Sequence, residues 1–140
     1  MPFKNLNHIG IAVNSLDEAV KIYCNVFKLG VPKILELNEM QLKIALFYLG
    51  EVKIELIAPL SSGTTIAKFL EKRGPGIHHL CFNVENIERT LEELKSQGIT
   101  LIDEKPRIGA LGNKIAFISP KSTSGVLIEL AEEINYQEKE

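Results

Sequence analysis

Residues 6–13, LNHIGIAV, alternate with a period of two: Ile9, Ile11 and Val13 share one face, His8, Gly10 and Ala12 the other. This is the pattern of a half-buried strand. The period then changes. Ser15 followed three residues later by Glu18 has capping-box spacing, and Leu16, Val20, Tyr23 and Phe27 make a helical stripe that Gly30 stops. Three further strands are predicted at 33–37, 42–49 and 52–58, the last closed by Pro59. The same order then recurs. Residues 77–84, IHHLCFNV, read as a strand; Asn86 caps a helix carrying Ile87, Leu91 and Leu94 that ends at Gly98; strands follow near 100–101, 114–118 and 125–130. The pattern is β-α-β-β-β written twice, an α+β chain of two modules at about 4–60 and 76–132. A short helix over 65–73 and a Gly74-Pro75-Gly76 linker join them. At 140 residues, 1–140 is expected to form one domain.

Laying the second copy on the first aligns Leu6-Asn7-His8-Ile9 with Ile77-His78-His79-Leu80, so His8 corresponds to His79. The closing strands also superpose, VKIEL on VLIEL, which puts Glu55 on Glu129. Each copy thus gives one histidine from its first strand and one glutamate from its last. Their strand neighbours (Ile9 and Ile11, Leu80 and Phe82, Ile54 and Leu56, Ile128 and Leu130) form greasy faces suited to helices. The histidines and glutamates then point to the opposite face, where Gly10, Ala12 and Cys81 leave room. A carboxylate in such a setting is costly unless paired or metal-bound. Two imidazoles and two carboxylates suit a divalent first-row ion with open positions for substrate or water. His8, Glu55, His79 and Glu129 are therefore the candidate metal ligands. Neighbouring side chains on a strand face opposite ways, so His78 is expected on the other face, in a structural role.

Charge and composition narrow the partners. A net charge of −2 gives no reason to expect nucleic acid or an anionic membrane, and the one basic cluster, Lys68, Lys72 and Arg73, is interrupted by Glu71. With no run approaching the ~18 apolar residues of a membrane span and no charged-then-apolar opening stretch, a cytoplasmic protein without a leader is expected. Cys24 and Cys81 sit in no Cys-x-x-Cys pair, as expected of thiols in a reducing, cytoplasmic compartment. The polar tail 133–140, EINYQEKE, is expected to fray.

The paired modules with NHIGIAV, IHHLCFNV and two IEL strands resemble the vicinal-oxygen-chelate superfamily, which includes glyoxalase I, extradiol dioxygenases, bleomycin-resistance proteins and methylmalonyl-CoA epimerases. Longer stretches (IELIAPL, IAKFLEKRGPGIHHLCFNV and LIDEKPRIGALGNKIAFISPKSTSGVLIEL) are similar to the epimerase family over nearly the whole chain. The resemblance implies a curved mixed sheet around a metal site, a homodimer and an acyl-CoA substrate. It implies interconversion of 2R and 2S methylmalonyl-CoA through a metal-stabilised enolate. The family's ligands, two His, one Glu and a Gln or Glu, fall on His8, His79, Glu129 and Glu55. Cobalt is the foremost metal expected, with manganese, nickel, zinc and magnesium as alternatives. The family's base lies between the second and third strands and falls on Glu39. Glu129, or a water, is the candidate for the second acid/base. Lys121 and Ser122 are candidates for the acyl carboxylate or the pantetheine arm; Lys68, Lys72 and Arg73 either meet the CoA phosphates or form a solvated helix face. The rivals are glyoxalase I chemistry, an iron dioxygenase, which a fourth protein ligand disfavours, and a non-enzymatic binding protein. With no Trp and only 6% aromatic residues, the chain is poorly equipped for the last.

Overall fold

The computed structural model describes residues 3–132; the tail expected to fray lies outside them. The chain divides into two compact units, His8–His79 and Met1–Asn7 with Leu80–Glu140. The boundaries fall inside the two opening strands, β1 (Phe3–Ala12) and β5 (Gly76–Val84), and not in the Gly-Pro-Gly linker. Side chains at the start of β1 explain this. Phe3 packs on Phe82 with ring centroids 5.5 Å apart, while Asn7 donates to Asn83 at 3.0 Å and Asn83 donates to Asn5 at 2.9 Å.

In the unit His8–His79, β1 is followed by α1 (Leu16–Lys21), β2 (Lys33–Leu37), β3 (Leu42–Leu49), β4 (Val52–Pro59) and α2 (Thr65–Arg73). The strands lie in the order β2-β3-β4-β1, with β1 parallel to β4 and the other pairs antiparallel. Ser15 caps α1 by accepting the Glu18 N–H at 3.2 Å, as its spacing predicts. The helix then widens into a π segment, Ile22–Val26, whose Phe27 N–H donates to the Ile22 carbonyl at 2.9 Å. A wider turn advances less per residue, so the apolar stripe loses its face. Val20, Tyr23 and Cys24 pack on Val13, Phe47 and Leu56, whereas Phe27 is 57% exposed. On the opposite sheet face, Ala12, Ile44, Leu46 and Ile57 are covered by Ile66, Phe69 and Leu70 of α2. The linking helix thus carries part of this unit's core.

The other unit repeats the design with β5, α3 (Ile87–Ser96), β6 (Arg107–Ile108), β7 (Lys114–Ile118) and β8 (Ile128–Glu132), in the order β5-β8-β7-β6 with β5 parallel to β8. Asn86 accepts the Arg89 N–H at 3.0 Å to start α3. At its end Gly98 takes φ +83°, and the Ile99 N–H reaches back to the Leu94 carbonyl at 3.1 Å, a left-handed stop open to glycine. Ile87, Leu91, Ala116, Ile118 and Leu130 form the core beneath.

Two strand expectations need correction. Residues 100–101 contribute only an isolated bridge, Leu101 to Ile118. The second strand of this copy is instead β6, inside the glycine-containing stretch RIGALGNK; it is two exposed residues long and carries no alternation to read. The last strand begins at Ile128 and not near 125, because a 3₁₀ turn, Pro120–Ser122, and Gly125 at φ +90° occupy the preceding stretch.

Candidate metal centre

Both copies use the same register. In β1–β4 Gly10 pairs with Glu55, and in β5–β8 Cys81 pairs with Glu129. In each case the residue opposite the glutamate lies two places after the histidine, and residues two apart on a strand share a face. His8, His79 and Glu129 are buried, with relative exposures of 6%, 4% and 7%.

Within the unit His8–His79, two imidazoles and a carboxylate converge. The His8 and His79 rings meet edge-on at 88° with centroids 5.0 Å apart, and their Nε2 atoms face each other at 2.9 Å. Glu55 addresses both, Oε2 lying 3.8 Å from His8 Nε2 and Oε1 3.8 Å from His79 Nε2. Its side chain is 13% exposed. This donor set fits a divalent ion. Imidazole and carboxylate donors together suit a divalent first-row ion.

The histidine pair owes its closeness to Gly10. A Cβ placed there would fall 2.2 Å from Cε1 and 2.5 Å from Nδ1 of His79. The ring therefore occupies the space a side chain would take, at backbone depth on β1. Gly10→Ala is expected to displace His79, costing about 1–3 kcal/mol as an overpacked site and weakening metal uptake. Denaturant melts of the metal-free variant and a metal titration check both effects.

His78 departs from the alternation argument. Its ring meets that of His79 at 89°, with the two Nδ1 atoms 2.9 Å apart. The signal that misled is the period-two rule itself, which constrains Cα–Cβ directions and not where two adjacent rings finish. The remaining expected residues stand elsewhere. Glu39 lies in the exposed turn 38–41 between β2 and β3, closed by the Gln41 N–H and Nε2 donating to the Asn38 carbonyl at 3.3 and 2.6 Å. Leu42, where β3 begins, is four residues from Leu46, the partner of Glu55, a separation of about 13 Å along the strand. Ser122 accepts the Thr100 N–H at 2.8 Å, so its hydroxyl oxygen already fastens a loop; Lys121 is exposed beside it. Lys68, Lys72 and Arg73 are exposed on α2.

The chain belongs to the glyoxalase/bleomycin resistance protein/dioxygenase superfamily, whose sequence pattern matches residues 7–117. Its fold is the glyoxalase-type α+β fold, with the doubled βαβββ unit read from the sequence. Within that superfamily the similarity is to methylmalonyl-CoA epimerases, which are isomerases. The human mitochondrial enzyme is 38% identical over 126 residues, covering 89% of this chain and 72% of the relative. The crystal structure of the Mycobacterium tuberculosis enzyme superposes with a TM-score of 0.89 at 35% identity, covering 99% of this chain and 94% of that one. A Streptomyces coelicolor variant in complex with 2-nitronate-propionyl-CoA has a TM-score of 0.86 at 27% identity, with 94% and 95% covered. Among the described residues, no helix is long and apolar enough to cross a membrane.

Proposed function

We propose that this chain epimerises methylmalonyl-CoA, interconverting its 2R and 2S forms by removing and returning the proton on the carbon between thioester and carboxylate. The observation that carries the reading is the convergence of His8, His79 and Glu55, in a chain similar to epimerases over most of its length. The ligand set we propose is these three with Glu129, whose register on β8 repeats that of Glu55 on β4. A bound divalent ion supplies Lewis-acid stabilisation of the negative charge that develops on the thioester oxygen.

The chain's own residues supply the rest. His8 and His79 present neutral nitrogens and the glutamates offset the positive charge. A proton leaving one face of the carbon and returning to the other requires two acid/base groups. Glu39, in the exposed turn between β2 and β3, is the first. Glu129 is the second, with water as the alternative carrier. Lys121 and Ser122 border the acyl group or pantetheine arm.

The rest of the reading is a cytoplasmic homodimer of single-domain chains loaded with cobalt in preference to manganese, nickel, zinc or magnesium. Exposed Val26, Phe27 and Val31 offer apolar surface of the kind a second copy covers, and Cys24 and Cys81 form no disulfide.

Protein stripped of metal and reloaded with cobalt or manganese, given one epimer of methylmalonyl-CoA in deuterated water, is expected to place deuterium on the α-carbon. Metal uptake without exchange would point to glyoxalase-type chemistry, and failure to take up metal would point to a binding module.

A further inference from the structure

We infer that His78 is a positioning residue that sets the tautomer of His79 and so decides whether His79 can act as a ligand. The inference rests on the reading above only in taking His79 Nε2 as a donor to a metal.

His78 is held on two sides. Its half-buried ring stands edge-on to Phe69 of α2, centroids 5.0 Å apart at 83°. Phe69 packs on the cluster of Ala12, Ile44 and Ile57 and carries the Arg73 guanidinium 5.7 Å from its centroid. From this support His78 Nδ1 meets His79 Nδ1 at 2.9 Å. A neutral imidazole has one N–H and one lone pair, so the contact is a hydrogen bond in only one direction at a time. If His78 donates, the proton of His79 sits on Nε2, aimed at His8 Nε2 2.9 Å away, and His79 cannot ligate. If His79 donates, its Nε2 lone pair is open to an ion and the proton of His78 sits on its own Nε2.

The three rings thus form a chain, His78–His79–His8, in which the direction of one bond fixes the state of the next. Metal-bound histidines generally donate their second N–H to an acceptor that holds ring and tautomer. Here that acceptor is an imidazole nitrogen whose ring stands edge-on to Phe69 of α2. The Gly10 seat confines the same ring from another side, so His79 has little freedom to turn its other edge toward His78.

The test compares two substitutions. His78→Phe keeps an aromatic ring against Phe69 and removes the acceptor. His78→Asn places an amide oxygen near the site of Nδ1 and restores it. In a cobalt titration, His78→Phe is expected to bind about 10- to 100-fold more weakly than the unaltered protein, with His78→Asn recovering most of that loss. Nitrogen-15 NMR of the metal-free proteins is expected to show His79 carrying its proton on Nδ1 in the unaltered protein and in His78→Asn, and shifting toward Nε2 in His78→Phe. Wild-type cobalt affinity in His78→Phe, or equal losses in both variants, would overturn the inference. Should the unaltered protein take up no cobalt, the ligand reading fails, and the tautomer alone decides: an Nδ1 proton on His79 that His78→Phe removes supports the inference, and an unchanged tautomer refutes it.

Discussion

Replacing Glu39 by glutamine is expected to slow epimerisation by about 10²- to 10⁴-fold while leaving metal content and folding untouched. The substitution keeps shape and hydrogen-bonding reach but removes the group able to take a proton. Glu39 sits in an exposed turn whose closure depends on Gln41 and the Asn38 carbonyl, so the fold has no stake in its charge. The informative measurement is exchange from each epimer separately. With one of two proton carriers removed, deuterium should still enter from the face served by the other while interconversion stalls. A variant that interconverts at the unaltered rate would take Glu39 out of the chemistry.

Glu55→Ala is expected to act at the other end of the problem, losing the metal itself. Its two oxygens reach the two histidines at equal distance, 3.8 Å each. Losing an outer partner of a ligand typically costs 10- to 100-fold in affinity, so losing the ligand should exceed about a hundredfold. Isothermal titration with cobalt and exchange activity should fall together, and Glu55→Gln, which keeps an oxygen donor, should retain binding that alanine loses. Equal affinity for Glu55→Ala and the unaltered protein would mean that the carboxylate only neutralises charge near the imidazoles.

Much of this was legible in the chain because two periodicities repeat. The β2, β3, β7 and α2 boundaries follow directly from alternation, caps and stop residues. The superposition of the copies also paired His8 with His79 and Glu55 with Glu129, and both glutamates keep the same register against their opening strands. What escaped lacks a period. A two-residue exposed strand such as Arg107–Ile108 buries nothing, so it leaves no apolar signature. The π segment after α1 is invisible because its residues suit an α-helix equally well until Phe27 is left in solvent. The His78 contact depends on where two side chains finish, and backbone alternation does not encode side-chain torsions. The unit boundary inside β1 follows from Asn5, Asn7 and Asn83, which form a side-chain network that no linear pattern reveals.

At the glycine that seats His79 the two copies are not equivalent. Two places after its histidine the first copy has Gly10 and the second has Cys81. A ring lies over the glycine where any β-carbon would collide. The halves are therefore not interchangeable: a chain made of the second half twice would put a thiol-bearing carbon in the imidazole's seat.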